Sequence, residues 1–127
     1  MPKQTLATLP HIFTVHSLTA NAEIPKSVFE APVYFIGKTN EELSLVVPET
    51  VPIDSDESDG DWRALEVLGP LQLSMVGIMA QIGSVLAKAK VSIFVVSTFE
   101  TDFFLVKQKD LNDAAEALEK DGYKVIL

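Results

Sequence analysis

The chain contains no cysteine. Disulfides, thiolate nucleophiles and cysteine-ligated metals are therefore excluded. It has two histidines, His11 and His16. Five apart on a strand they point to opposite faces and do not chelate one ion. No apolar run approaches the roughly twenty residues that span a bilayer. The N-terminus, MPKQTLATLPHIFTVH, has one lysine and no long apolar stretch, and it lacks arginine. It reads neither as a secretory signal nor as a transit peptide. The expectation is a cytoplasmic protein. Positive charge is also scarce: 10 Lys and Arg stand against 18 Asp and Glu, a formal net charge of -8. Such a chain repels nucleic acid and anionic membrane.

What is present is apolar residue, 47% of the 127, enough for one globular domain or two small, closely packed ones. A chain of this length buries roughly two-thirds of its unfolded surface. Ile12–Leu18 alternates as a strand. Ile24–Glu30, bounded by Pro25 and Pro32, holds at most a helical turn. Val33–Ile36 and Leu43–Val47 read as a hairpin, with turn chemistry in Gly37 to Glu42. Residues 54–61, DSDESDGD, read as a solvated acidic loop.

Trp62–Leu68 alternates, and Gly69-Pro70 punctuates the chain before a helix reaching Ala89. Pro70 suits its first turn. Val76, Met79, Ile82, Val85, Leu86 and Ala89 are spaced as its core face. Val91–Val96 is apolar without alternation, which predicts a central strand covered on both faces. Asp102–Val106 is its hairpin partner across Ser97-Thr98-Phe99-Glu100-Thr101. Asp110 is placed as the N-cap of a last helix, with Leu111, Ala114, Ala115 and Leu118 as its stripe. Glu116 and Lys120 pair one turn apart, and Gly122 ends the helix. Tyr123–Leu127 is the final strand. The order is βαββαβ, a ferredoxin-like α+β arrangement with an antiparallel sheet under two helices.

Several chemistries fail on spacing. A calcium loop starting at Asp54 needs glycine sixth and a bidentate acid twelfth, where Asp59 and Leu65 stand. Ser74, Ser84 and Ser92 lie on no nucleophile elbow. Gly69-Pro70 lacks the rest of a phosphate loop. No catalytic residue and no metal ligand is assigned. Glu100 and Asp102, two apart at the hairpin turn, are open to three readings: solvated or capping groups, an acid–base pair, or a partner for the ammonium of an amino acid.

Leu68-Gly69-Pro70-Leu71, Val76-Gly77-Ile78-Met79-Ala80-Gln81-Ile82, Val91-Ser92-Ile93 and above all Ser97 to Lys107, STFETDFFLVK, resemble the ACT domains. The likeness is greatest to small stand-alone ACT proteins related to the aspartate kinase regulatory domain and the CASTOR proteins. It covers residues 61–127 as a complete ACT domain. Residues 1–60, acidic loop included, resemble an abbreviated, mostly β half of the same kind.

The resemblance implies a non-catalytic regulatory or sensor protein that binds an amino acid between two ACT units, with no cofactor. The implied contacts are Gly69, Leu71, Gly77 and Ile78, the backbone of Ser92 and Ile93, Thr98 as a hydroxyl contact, and Asp102 as the partner of the amino group. From Leu71 to Ile78 no acid is present to read a basic ligand, so a neutral or apolar amino acid fits better than arginine. The resemblance further implies a homodimer and a regulated enzyme or signalling partner in trans. The rival reading is an ACT-like dimerisation or interaction module whose pocket has lapsed; an enzyme using Glu100 and Asp102 is a third.

Overall fold

The computed structural model describes residues 3–68 and 77–127. In chain order the elements are β1 (Thr5–Leu18), α1 (Lys26–Phe29), β2 (Phe35–Lys38), β3 (Leu43–Pro48), β4 (Glu57–Leu68), α2 (Ile78–Lys88), β5 (Ile93–Ser97), β6 (Asp102–Lys107), α3 (Leu111–Lys120) and β7 (Lys124–Ile126). The fold is α+β, with α2 and α3 as its two main helices. The chain divides into two compact units, residues 1–10 with Arg63–Leu127, and His11–Trp62.

In the unit His11–Trp62, β3 pairs antiparallel with both β1 and β2, Val15 opposite Val46 and Phe35 opposite the same residue. Its core is Leu18, Val28, Leu43, Leu45 and Val47. α1 is one turn, as Pro25 and Pro32 dictate, and it puts fully buried Val28 into that core. The hairpin loop is shorter than the sequence suggests: Gly37 and Lys38 belong to β2. Thr39 closes the loop, its Oγ1 accepting the N–H groups of Glu41 and Glu42 at 3.1 Å each.

The acidic stretch is not a loop over its full length. β4 starts at Glu57, and Glu57 to Asp59 are strand residues with exposed side chains. The backbone N–H of Asp56 already donates to Ser17 C=O at 3.0 Å. Strand pairing is satisfied by the main chain, so a strand whose side chains face water needs no apolar residue.

In the other unit the order is β4–β6–β5. β5 and β6 are antiparallel, Val95 opposite Phe104. β7 lies parallel to the start of β1, Leu6 opposite Val125, so the sheet is mixed and not purely antiparallel. The strand covered on both faces is β6, not β5. Phe103, Phe104, Leu105 and Val106 are all buried. β5 is at the end of the order, and Ile93 and Phe94 are each 36% exposed. Both strands are continuous apolar runs in the sequence, and only their order in the sheet distinguishes them.

α2 starts at Ile78, because Gly77 has a left-handed backbone (φ 81°) that an α-helix cannot contain. The part of the expected helix before Gly77, with Pro70 and Val76, lies outside the described residues. Ile82 and Leu86 are fully buried, with Ile78 and Val85 beside them. Met79 and Ala89, expected on this face, point to solvent. Asp110 makes no side-chain cap; it ends a single 3-10 turn, Gln108–Asp110, that runs directly into α3. α3 follows its stripe, with Ala114, Ala115 and Leu118 buried. Glu116 and Lys120 pair at 3.1 Å.

Candidate functional site

The turn between β5 and β6 is closed by its own hydroxyls. Thr98 N–H donates to Thr101 C=O at 2.8 Å. Thr98 Oγ1 donates to the same carbonyl at 3.2 Å and accepts Thr101 N–H at 3.3 Å. At the base of the turn Ser97 and Asp102 are cross-strand partners, and Ser97 Oγ donates to Asp102 Oδ1 at 2.6 Å. Thr101 reaches further: its hydroxyl donates to the carbonyl of Val67, near the end of β4. The hairpin tip is thereby tied to the strand that leads towards Gly69. Phe99, at the apex, is 79% exposed.

The expected contact residues fall into separate places. Thr98 and Asp102 stand together at the tip. Ser92 and Ile93 are at the opposite end of β5, on the order of 16 Å away at strand rise. Gly77 and Ile78 open α2, which runs its eleven residues and turns back into β5. The start of α2 is therefore at the same end of the unit as the hairpin tip. Gly69 and Leu71 lie outside the described residues. Ser92 and Ile93 are exposed, and Ile93 packs a methyl near Gly83 of α2.

Gly77 also lines an open cleft of about 370 Å³ along α2, with Gln81, Ser84, Lys88, Lys3 and Asp121. Lys3 Nζ donates to Asp121 Oδ2 at 2.6 Å. It also stands 4.9 Å from the centre of the Tyr123 ring. The hydrogen bond from Lys3 to Asp121 holds the ammonium pKa above its ordinary value. Burial likewise raises the Tyr123 phenol. Sequence reasoning missed Lys3 and Asp121, which are 118 residues apart; the one available signal was the lysine of the N-terminal stretch.

Among the described residues no group of three or more His, Asp or Glu is placed to hold a metal ion. Among the same residues no helix is long and apolar enough to cross a membrane.

Comparison with known proteins follows the geometry. A family model described as "ACT domain" matches residues 57–120. A protein of Agobacterium tumefaciens with a known crystal structure is 30% identical, covering 100% of this chain and 95% of its own, at a TM-score of 0.90. The regulatory subunit of aspartate kinase from Thermus thermophilus, in ligand-free form, is 11% identical over 94% of this chain and 98% of its own, at a TM-score of 0.67. Aspartate kinase from Clostridium acetobutylicum is 16% identical over 91% of this chain and 34% of its own, at 0.69. The last two likenesses concern the fold. No curated protein matches the chain.

Proposed function

The chain belongs to the ACT-domain family, a class of non-catalytic regulatory modules, and from this premise we propose that it senses a free amino acid. We place the ligand at the end of the unit shared by the start of α2 and the β5–β6 hairpin tip. Asp102 takes the ammonium and Thr98 contacts it. The backbone at Gly77 and Ile78, with that at Gly69 and Leu71, takes the carboxylate. Backbone N–H groups at a helix start, next to a glycine that leaves room, favour an anion. Ser92 and Ile93, remote from the tip along β5, fit this reading only as contacts to a second unit.

The observation that carries the proposal is the fixed carboxylate of Asp102, held by Ser97 on a hairpin tip that Thr101 ties to β4. In finer outline we read residues 61–127 as a ferredoxin-like βαββαβ unit and 1–60 as an abbreviated ACT half. We further read the chain as a homodimer that acts on an enzyme in trans, in the cytoplasm and without a cofactor; that a chain of the same fold is a regulatory subunit of aspartate kinase favours action in trans. A ligand regulates such an assembly by its difference in affinity between two arrangements.

A thermal-shift screen against the common L-amino acids, with Asp102→Ala beside the wild type, tests this. A ligand that binds only the folded chain raises Tm as its concentration passes Kd. One amino acid raising Tm in the wild type and not in Asp102→Ala is the expected result. No response to any of them discards the sensor.

A second reading, a dimerisation module, is favoured by the place of β5 at the end of the strand order among the described residues and by the partly exposed Ile93 and Phe94. An unpaired strand edge is a template for a second strand. Phe94→Lys should then convert a dimer to a monomer in sedimentation. An unchanged mass removes β5 from the interface.

A further inference from the structure

The open cleft along α2 combines a small floor with a charged border. Ala80, Ser84 and Lys88 stand four residues apart and lie one above the other on one face of the helix, with Gly77 at its start. The small residues at 77, 80 and 84 let a ring approach the helix backbone. Lys88 borders them at the end of α2, and Lys3 of the N-terminal stretch borders them from outside the helix. Lys3 spends one of its three hydrogens on Asp121. Lys88 is exposed and has no ion pair among the described residues. The cleft thus carries two cations and one carboxylate, on a chain of formal charge -8. Its volume of about 370 Å³ is that of a small binding pocket. A small floor edged by ammonium groups fits an aromatic ring with a carboxylate beside it. The ring face attracts a cation, and the carboxylate pairs with one.

The chain presents that pair of groups itself. Phe99, 79% exposed, and the exposed Glu100 are consecutive at the apex of the β5–β6 turn. The bonds between Thr98 and Thr101, and from Thr101 to Val67, fasten the turn. The ring is therefore held out on a backbone that has little left to order on binding. Phe99 does not line the cleft of its own chain, so the ring must come from another. We propose that the α2 cleft receives the β5–β6 hairpin tip of a second copy, with Phe99 on the floor at Gly77, Ala80 and Ser84 and Glu100 paired with Lys88. Ser84 and Lys88 are about one helical turn, roughly 5.4 Å, apart. Consecutive residues, about 3.8 Å apart at Cα, span that step with their side chains. Exchange of tips between two copies makes the contact twice and closes a dimer. The proposal rests on the homodimer of the reading above and gives it a surface, one separate from the edge of β5.

The test is sedimentation of the full chain over a range of concentrations, with circular dichroism confirming that each variant folds. Phe99, Glu100 and Lys88 are exposed, so their substitution leaves the core intact. The wild type should dimerise, and Phe99→Ala should weaken the dimer by about thirtyfold or more, as for an aromatic hot spot. Glu100→Lys and Lys88→Glu should each weaken it, and the two together in one chain should restore it. A dimer unchanged by Phe99→Ala, or a double variant no tighter than either single one, overturns the inference. A dimer that Phe94→Lys abolishes and Phe99→Ala leaves intact is the β5 contact; the homodimer then stands and the hairpin contact falls. A wild type that stays monomeric at every concentration removes both.

Discussion

Lys90 and Gly122 occupy the same position at the ends of the two main helices. Both are left-handed, with φ of 62° and 98°. Behind each, the same pair of bonds closes the helix. Lys90 N–H donates to Ala87 C=O and Val91 N–H to Leu86 C=O, both at 3.0 Å; Gly122 N–H donates to Glu119 C=O at 3.1 Å and Tyr123 N–H to Leu118 C=O at 3.0 Å. This is the Schellman motif, in which glycine normally takes the left-handed place. The residue after each, Val91 or Tyr123, then packs into the core with the helix it has just left.

A lysine in that conformation costs about 1 kcal/mol or more that a glycine does not. Lys90→Gly should therefore stabilise the protein by about 1 kcal/mol, less what glycine gives back in the entropy of the unfolded chain. Gly122→Ala should destabilise it by about 1–2 kcal/mol. An added Cβ there also meets Lys3 Cδ at 3.4 Å. Urea denaturation of the two variants measures both, and opposite signs are the expected outcome.

Phe104 and Leu118 are fully buried and share one core. Truncating Phe104 to alanine should cost about 3–5 kcal/mol, and Leu118 to alanine about 2–5 kcal/mol. Phe94→Ala, in the neighbouring strand of similar composition, should cost much less in the monomer, because Phe94 is 36% exposed. A core placed on β5 would reverse that order in a denaturation series.

His16 is buried, with Nδ1 2.8 Å from Ser55 Oγ. Burial holds its pKa below the ordinary 6.5. The unfolded chain therefore binds the proton more readily than the folded one. The stabilising contribution is complete above about pH 6.5 and is lost as the pH falls from there through the folded-state value. Melting temperature should decline over that window in the wild type and less steeply in His16→Gln. Equal slopes would show that His16 does not govern the acid limb.

Thr101→Val keeps the shape of the side chain and removes its hydroxyl. The Val67 carbonyl then loses its donor, at a cost of about 1 kcal/mol. Hydrogen exchange should accelerate at Thr98 and Thr101, whose amides close the turn, and leave β3 unchanged. Uniform exchange across both units would mean that the bond does not fasten the tip.

Much of the fold was legible in local pattern. The proline-bounded turn at α1, the stripe of α3, the Glu116–Lys120 pair and the glycine after α3 follow from spacing and conformational preference, which act within one or two turns of chain. So did the hairpin of β5 and β6, and the family to which residues 57–120 belong. The strand within the acidic stretch is not legible, because side-chain polarity is silent about whether main-chain groups find a strand to pair with.

The sequence by itself determined that this is a cysteine-free, acidic, α+β chain with Ser97, Thr98, Thr101 and Asp102 clustered at one turn. Only the tertiary structure decided which apolar strand is interior, since β5 and β6 both carry a continuous apolar run and differ in neighbours. It also decided where each hydroxyl hydrogen goes. Val67 is 34 residues from Thr101, and a bond between them depends on the order of strands in the sheet, which no local pattern encodes.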